Sequence, residues 1–207
     1  MNLFKSLLLI GIVNITVSCN WRTCDITYLS EYIANKEHGL AVGLHENGFE
    51  LEAKYIPSYL SAYQEYEAHL SDIPFDSLVV SYGSCRSFVF TIQTEGKTRN
   101  ILGYKTSSLD EIKQRQYEVD FRFGQHLYLD VDGERFYPQL CSAQNTSIGG
   151  KSGIKVMLTF VAETKDSSLL KDKDLNLYFN DPFFETGLTR YPIKNNDIQH
   201  IPKLKIL

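Results

Sequence analysis

Short runs of alternating apolar and polar residues recur along most of the chain, and they constrain its fold more than any other feature. Two of the breaks between runs are Asn47-Gly48 and Asp132-Gly133. Both dipeptides favour a type I′ hairpin, because its two central residues need positive φ. Regularly spaced short strands are typical of a sandwich or barrel, so we predict a mainly β (α+β) fold. The predicted strands lie near 78–82, 87–94, 118–123, 126–131, 134–140, 154–163, 174–180 and 188–194, and the apolar Ile206-Leu207 predicts a final strand.

The N-terminal part of the chain has helical spacing instead. Residues 25–37 place Ile26, Leu29 and Ile33 on one helical face. Pro57 precedes a second predicted helix, which is separated from the first by a predicted hairpin over 40–56, and a third helix is predicted over 107–117. We therefore predict two units after a short tether: an α/β subdomain over 25–72 and a β-sandwich-like domain over 73–207.

The first nineteen residues resemble a bacterial lipoprotein leader. Lys5 precedes the apolar run LLLIGIV, which is too short to span a bilayer, and small Ser18 precedes Cys19. This predicts a signal peptide over 1–18, lipidation of Cys19 and a tether over 19–24. Two or three acyl chains on that cysteine give stable membrane attachment. The alternatives are a soluble secreted protein cleaved after Ser18 and an uncleaved anchoring helix.

The residue after Cys19 is Asn20 rather than the aspartate that retains some lipoproteins in the inner membrane, and no acidic run follows it. We therefore expect a lipid-anchored protein of the bacterial cell envelope, in the outer membrane and facing the periplasm. The formal net charge is −4, with acidic and basic residues interspersed. The absence of a basic stripe argues against a nucleic-acid partner.

Four cysteines are present, and three remain if Cys19 carries lipid. Cys85 and Cys141 lie in strand-like surroundings and are candidates for a disulfide in an exported chain. A pairing that involves Cys24 and the absence of any disulfide are the open alternatives.

The motifs that resemble catalytic or cofactor sites are incomplete. Gly150-Lys151-Ser152 matches the end of a phosphate-binding loop, but Asn145 stands where its first glycine belongs and a strand follows. Asp130, Asp132 and Glu134 lack the further ligands of a calcium loop. We predict no catalytic residues, no metal and no cofactor.

Two aromatic segments are candidates for contact with a partner. Phe183 and Phe184 follow a Pro turn, and adjacent side chains cannot both point into one sandwich face, so they form our predicted interaction site. The helix with Tyr59, Tyr63 and Tyr66 also offers aromatic rings, although packing in the core is the expectation there.

Parts of the chain resemble small uncharacterised lipoproteins of the Bacteroidota type. The matching stretches are YLSEYIANKEHGLAV, YIPSYLSAYQE and LYFNDPFFETGLTRYPIKNNDIQHIPKLKI. The stretch DVDGERFYPQL is similar to Ig-like accessory domains of secreted bacterial proteins. These resemblances imply an Ig-like β-sandwich and no particular chemistry.

Together these patterns favour a non-catalytic envelope lipoprotein that binds another protein, such as an assembly, secretion or immunity partner. That function predicts an exposed patch of aromatic residues. The alternative is an extracytoplasmic hydrolase or a small-ligand or glycan-binding lipoprotein, which predicts a deep pocket where His, Asp or several Tyr converge.

Overall fold

The computed structural model describes residues 23–68, 72–96, 100–148, 150–161 and 170–205. The predicted signal peptide, Cys19 and the predicted strand at Ile206-Leu207 lie outside these residues. The helices are α1 (Ile26–Ala34), α2 (Ser58–Glu67), α3 (Phe75–Gly83), α4 (Leu109–Phe121) and α5 (Asn195–Gln199). Within the described ranges, no helix is both long enough and apolar enough to cross a bilayer.

The strands form two antiparallel sheets and one short parallel pair. The five-stranded sheet contains, in spatial order, β2 (Ala41–Glu46), β3 (Phe49–Ile56), β4 (Cys85–Thr94), β8 (Lys151–Val161) and β7 (Leu140–Ile148). The four-stranded sheet contains β10 (Leu188–Ile193), β9 (Leu175–Asn180), β5 (Leu127–Val131) and β6 (Glu134–Phe136). The parallel pair is β1 (Thr23–Cys24) with β11 (Lys203–Leu204). The fold is therefore α+β, as the sequence predicts.

Aromatic residues in the interior join the two sheets face to face. Alternate residues of β4, namely Phe88, Phe90 and Ile92, are fully buried. The ring of Phe90 lies 5.0 Å from that of Phe179 on β9 and 5.4 Å from that of Tyr191 on β10. Tilted and edge-to-face contacts at such distances are favourable for aromatic rings, so these residues fix the spacing of the sheets.

The two ends of the pair of sheets differ in character. At one end, here called the helix end, α1, α2, α3 and α5 meet the parallel pair of β1 and β11. Tyr59 Oη of α2 donates to the carbonyl of Pro202 at 2.8 Å and thereby ties the helices to the C-terminal segment. At the other end, here called the turn end, Asn47 Nδ2 donates to the carbonyl of Phe184 at 2.8 Å. The first chain segment that the structure describes, β1, thus lies at the helix end.

The predicted boundary near residue 72 does not separate two sheets. The hairpin assigned to an N-terminal subdomain supplies β2 and β3, and β3 pairs with β4 over its whole length. Leu51 and Ala53 of β3 are buried in the same core as Phe90. The hairpin of the predicted 25–72 subdomain thus belongs to the five-stranded sheet, because its apolar face is completed by residues from much later in the chain.

The predicted turns are confirmed, and two predicted strands are wrong. Asn47 and Gly48 have φ of 51° and 79°, and Asp132 and Gly133 have φ of 53° and 88°. Residues 78–82 belong to α3, which begins after Pro74, and residues 118–121 continue α4. The sequence also fails to predict β7 as a long strand, because its composition is largely polar.

The packing of Phe90 gives a direct stability test. Phe90→Ala removes a fully buried ring between the sheets and is expected to lower the free energy of unfolding by about 3–5 kcal/mol. Phe121→Ala is a matched control, because Phe121 is 72% exposed and its loss should change stability by no more than about 0.5 kcal/mol. Urea denaturation of both variants checks this, and equal losses would contradict the assigned core.

Candidate functional site

The loop that carries Phe183 and Phe184 is organised by Asp181. The Asp181 carboxylate accepts hydrogen bonds from the backbone N–H groups of Phe183 at 2.8 Å, Phe184 at 3.0 Å and Thr186 at 2.8 Å. Phe184 is fully buried and its ring lies 5.0 Å from that of Phe49. The predicted interaction role is therefore wrong for Phe184, whose side chain belongs to the core.

Phe183 is only half buried, and it lies beneath a cation. The guanidinium of Arg115 stands 5.4 Å from the Phe183 ring. Arg115 is held there because Nη1 donates to the carbonyls of Leu102 at 3.1 Å and Tyr104 at 2.7 Å. The predicted interaction role of Phe183 stays a prediction, since part of its ring is accessible.

The candidate disulfide is absent. Cys24, Cys85 and Cys141 are free. Cys85 on β4 and Cys141 on β7 both lie opposite residues of β8, which separates the two strands. Two strand spacings amount to roughly 10 Å, whereas a disulfide needs Cα atoms within about 7 Å.

The acidic hairpin around Gly133 is held by protein partners. Asp132 forms an ion pair with Lys173 at 2.7 Å, and Asp130 Oδ1 accepts from the N–H of Gly133 at 3.4 Å. Across the described ranges, no three His, Cys, Asp or Glu side chains are grouped so that they could hold a metal ion.

Exposed aromatic residues cluster on one side of the molecule, between α4 and the start of β7. Tyr117 and Phe121 are one turn apart on α4, and their ring centroids are 5.0 Å apart. Phe121 is 72% exposed, and Tyr137, which is 55% exposed, lines the same groove of about 360 Å³. We call this the lateral surface; its residues are Tyr117, Phe121, Arg122 and Tyr137.

The lateral surface is displayed by a helix that is capped at its start and tied to the sheet in its second half. Ser108 caps the start of α4, where its Oγ accepts from the N–H of Glu111 at 3.2 Å. Asn145 of β7 donates to Gln116 Oε1 at 2.8 Å and so ties the helix to the sheet. Val119 is buried on the opposite face of the helix, which leaves Phe121 directed outward.

A stack of aromatic and cationic side chains continues from the lateral surface across the outside of the four-stranded sheet. The rings of Tyr128 and Tyr178 are nearly parallel, with centroids 4.9 Å apart. The guanidinium of Arg135 lies 4.8 Å above the Tyr128 ring, and Tyr137 lies 6.3 Å from that ring. Phe121 of α4 and Tyr137 of this stack thus line the same groove.

Cys141 lies at the base of that groove. Its thiol is half buried, and desolvation raises its pKa to about 11 even though the N–H of Gly124 favours the thiolate. Since the thiolate is the nucleophilic form, the thiol of Cys141 is unreactive at neutral pH. The groove therefore combines the neutral Cys141 thiol and the Phe121 and Tyr137 rings with charged groups, Asp120 and Arg122.

A second concave surface lies at the helix end and encloses about 1140 Å³. We call it the aromatic cleft; among its lining residues are Tyr28, Tyr32, Tyr59, Phe75, Val79 and Ile198. Tyr32 Oη donates to the carbonyl of His200 at 3.3 Å, in addition to the bond from Tyr59 to Pro202. Burial raises the pKa of both tyrosines, so their hydroxyls stay protonated well above neutral pH.

A third surface is a polar groove of about 510 Å³ on the outside of the five-stranded sheet. Its charged residues largely pair with one another. Glu52 lies 3.6 Å from Lys54 and 4.0 Å from Lys36, and His45 lies 3.1 Å from Glu95. Exposed pairs of this kind contribute little stability.

The comparisons with known proteins leave the family open. No protein-family model and no curated protein matches the chain. One solved structure is similar: the crystal structure of a novel protein of unknown function from Burkholderia pseudomallei K96243. It is 11% identical, and the match covers 87% of this chain and 94% of that chain with a TM-score of 0.35. Values this low do not establish a shared fold.

The sequence contained a signal for the lateral surface that the strand prediction obscured. Tyr117 and Phe121 are four residues apart, which places them on one face only if the helix continues past residue 117. When residues 118–123 are taken as a strand, this relation is lost. Tyr137 comes close to them only through the hairpin of β5 and β6, which the local sequence does not reveal.

The raised pKa of Cys141 predicts slow alkylation. At pH 8 the thiolate fraction should be roughly 100-fold smaller than for an ordinary cysteine, because burial disfavours the charged form. Iodoacetamide labelling followed by peptide mass spectrometry should show a rate that rises with pH up to a midpoint of about 11. The urea-unfolded chain is the control, and equal rates for folded and unfolded protein at pH 8 would contradict the assignment.

Proposed function

We propose that this protein is a lipid-anchored, non-catalytic lipoprotein of the bacterial cell envelope that binds another envelope protein through its lateral surface. In this proposal Cys19 carries the acyl chains, and the domain lies on the periplasmic side of the outer membrane. The leader sequence before Cys19 supports the anchor.

The observation that carries the binding function is the exposure of large aromatic side chains around one groove. Phe121 is 72% exposed and Tyr137 is 55% exposed, and Arg122 lies 5.4 Å above the ring of Tyr117. Aromatic residues and arginine are the types enriched at protein interfaces and among residues that dominate binding energy. Contiguous apolar surface of this kind is a recurrent sign of an interaction site.

The rigidity of the display also supports a binding function. The two rings on α4 project from a helix that is capped by Ser108 and fixed to β7 by Asn145. Side chains held in place before binding lose less conformational freedom when a partner arrives. A pre-formed groove flanked by two aromatic residues suits an apolar side chain of the partner as an anchor.

The proposal also includes a more specific fold for the chain. We propose that the two facing antiparallel sheets form an Ig-like sandwich of the kind found in accessory domains of secreted bacterial proteins. The strand orders β2-β3-β4-β8-β7 and β10-β9-β5-β6 support it, since strands distant in sequence are neighbours in each sheet. We also propose that the chain is related to the small Bacteroidota-type lipoproteins that parts of its sequence resemble.

The binding function is tested by crosslinking in native membranes, followed by capture of the protein. Phe121→Ala and Tyr137→Ala should each reduce recovery of a discrete partner roughly 30-fold, the effect of losing about 2 kcal/mol at a dominant interface residue. Leu188→Ala is the matched control, because Leu188 is 60% exposed at the turn end, outside the lateral surface.

A partner that is recovered equally with all four proteins would contradict the lateral surface as the binding site. Failure to recover any discrete partner with the wild-type protein would contradict the binding function itself.

A further inference from the structure

The aromatic cleft lies close to the chain segment that leads to the proposed anchor. Thr23 pairs with Lys203 and Cys24 with Leu204, and both Lys203 and Leu204 line the cleft. Four residue steps lead from Cys19 to Thr23, and a fully extended chain of that length spans about 14 Å. An acylated Cys19 therefore holds the helix end near the bilayer; this step rests on the anchor in the proposed function.

The turn end lies much farther from the anchor. Strand β10 runs from Leu188 at the turn end to Ile193, and five residue steps in a strand cover roughly 17 Å. Helix α5 and β11 then follow at the helix end. The tether thus distinguishes the two ends of the molecule: the aromatic cleft lies on the membrane side and Leu188 on the far side.

The rim of the cleft carries further apolar residues that are exposed to solvent. Val80, which is 78% exposed, lies one helical turn after Asp76, a residue that lines the cleft. The ring of exposed Tyr66 contacts that of Phe75, with centroids 5.9 Å apart and an edge-to-face orientation. The apolar surface therefore extends beyond the cleft, over the outer faces of α2 and α3.

The composition of this surface suits the boundary between headgroups and acyl chains. Tyrosine has an apolar ring and a polar hydroxyl, and it is enriched at both interfaces of a bilayer. Tyr28, Tyr32 and Tyr59 all line the cleft. Lys205 is exposed just beyond the lining segment, so a basic group stands beside the cleft for anionic headgroups.

We propose that the aromatic cleft and its rim, formed by Tyr28, Tyr32, Tyr59, Phe75 and Val80, are the face that the protein lays against the interfacial region of its bilayer. The acyl chains on Cys19 hold the domain at the membrane, and this face sets its orientation. Residues at the turn end then point away from the bilayer, and the lateral surface stands beside it, accessible to a membrane-resident partner.

Tryptophan fluorescence in vesicles with brominated acyl chains tests this orientation, because the bromine atoms quench only nearby indoles. The chain has one tryptophan, Trp21, which lies two residues from Cys19 and reports on the anchor in the wild-type protein. Two further full-length lipidated variants combine Trp21→Phe with either Val80→Trp or Leu188→Trp. Both new positions are exposed, so the larger ring is tolerated.

The proposal predicts that the tryptophan at 80 loses roughly half of its emission, because an interfacial face inserts about 5–10 Å into the bilayer boundary. The tryptophan at 188 should change by less than a tenth of that loss, as expected for a residue on the far side of a sandwich that is at least ~17 Å long. Quenching at 80 and at Trp21 without quenching at 188 supports both the face and the anchor.

The other outcomes separate the two ideas. If Trp21 is quenched but the tryptophan at 80 is not, the anchor stands and the membrane face is overturned. A blue shift in the emission of the tryptophan at 80 without quenching also overturns the membrane face. It means that another protein, either a partner or a second copy of this chain, covers the cleft. If neither Trp21 nor position 80 is quenched, the anchor and the face both fail.

Discussion

The contact of Phe90 with Phe179 and Tyr191 is the interaction on which the rest of the structure depends. Phe90 comes from the central strand of the five-stranded sheet, and its two partners come from adjacent strands of the other sheet. If these rings did not meet, the two sheets would each expose an apolar face to water. The helices would also lose the common end at which α1, α2 and α5 assemble around the C-terminal segment.

The two facing sheets give the molecule three distinct surfaces. The helix end carries the aromatic cleft beside β1, the first strand of the described chain. The side of the sandwich carries Phe121 and Tyr137 on either side of a groove, and the turn end is closed by the loop that Asp181 organises. In the proposed arrangement, the anchor and the tyrosines of the cleft would orient the domain so that the lateral surface faces proteins in the same membrane.

Much of the fold follows from local patterns. The hairpins at Asn47-Gly48 and Asp132-Gly133 were predictable because their turns need positive φ, and that requirement is read from two residues. Helix α1 was predictable because Leu29 and Ile33 repeat at helical spacing. The run LVVSY in α3 looks like a strand by composition, but Leu78 packs inward as part of a helix that begins after Pro74. In β7, Cys141 and Ala143 pack on the core between polar neighbours, so the alternation is hard to recognise in the sequence.

The candidate surfaces were harder to predict, because each is assembled from distant parts of the chain. Adjacent Phe183 and Phe184 attract attention in the sequence, yet Phe184 is buried against Phe49, which lies far away in the chain. The lateral surface joins α4 to a residue beyond the next hairpin, and the cleft joins α1, α2 and α3 to the last residues of the chain. The local sequence does not show which of these segments contact each other. It also does not show which of their faces remain exposed to solvent.

The most direct test of this account is the intact mass of the protein purified from its native membranes. The account predicts a chain that begins at Cys19 and carries the added mass of two or three acyl chains on that residue. A chain that still begins at Met1, or one that begins at Cys19 without added lipid, would contradict the anchor and, with it, the orientation assigned to every surface of the molecule.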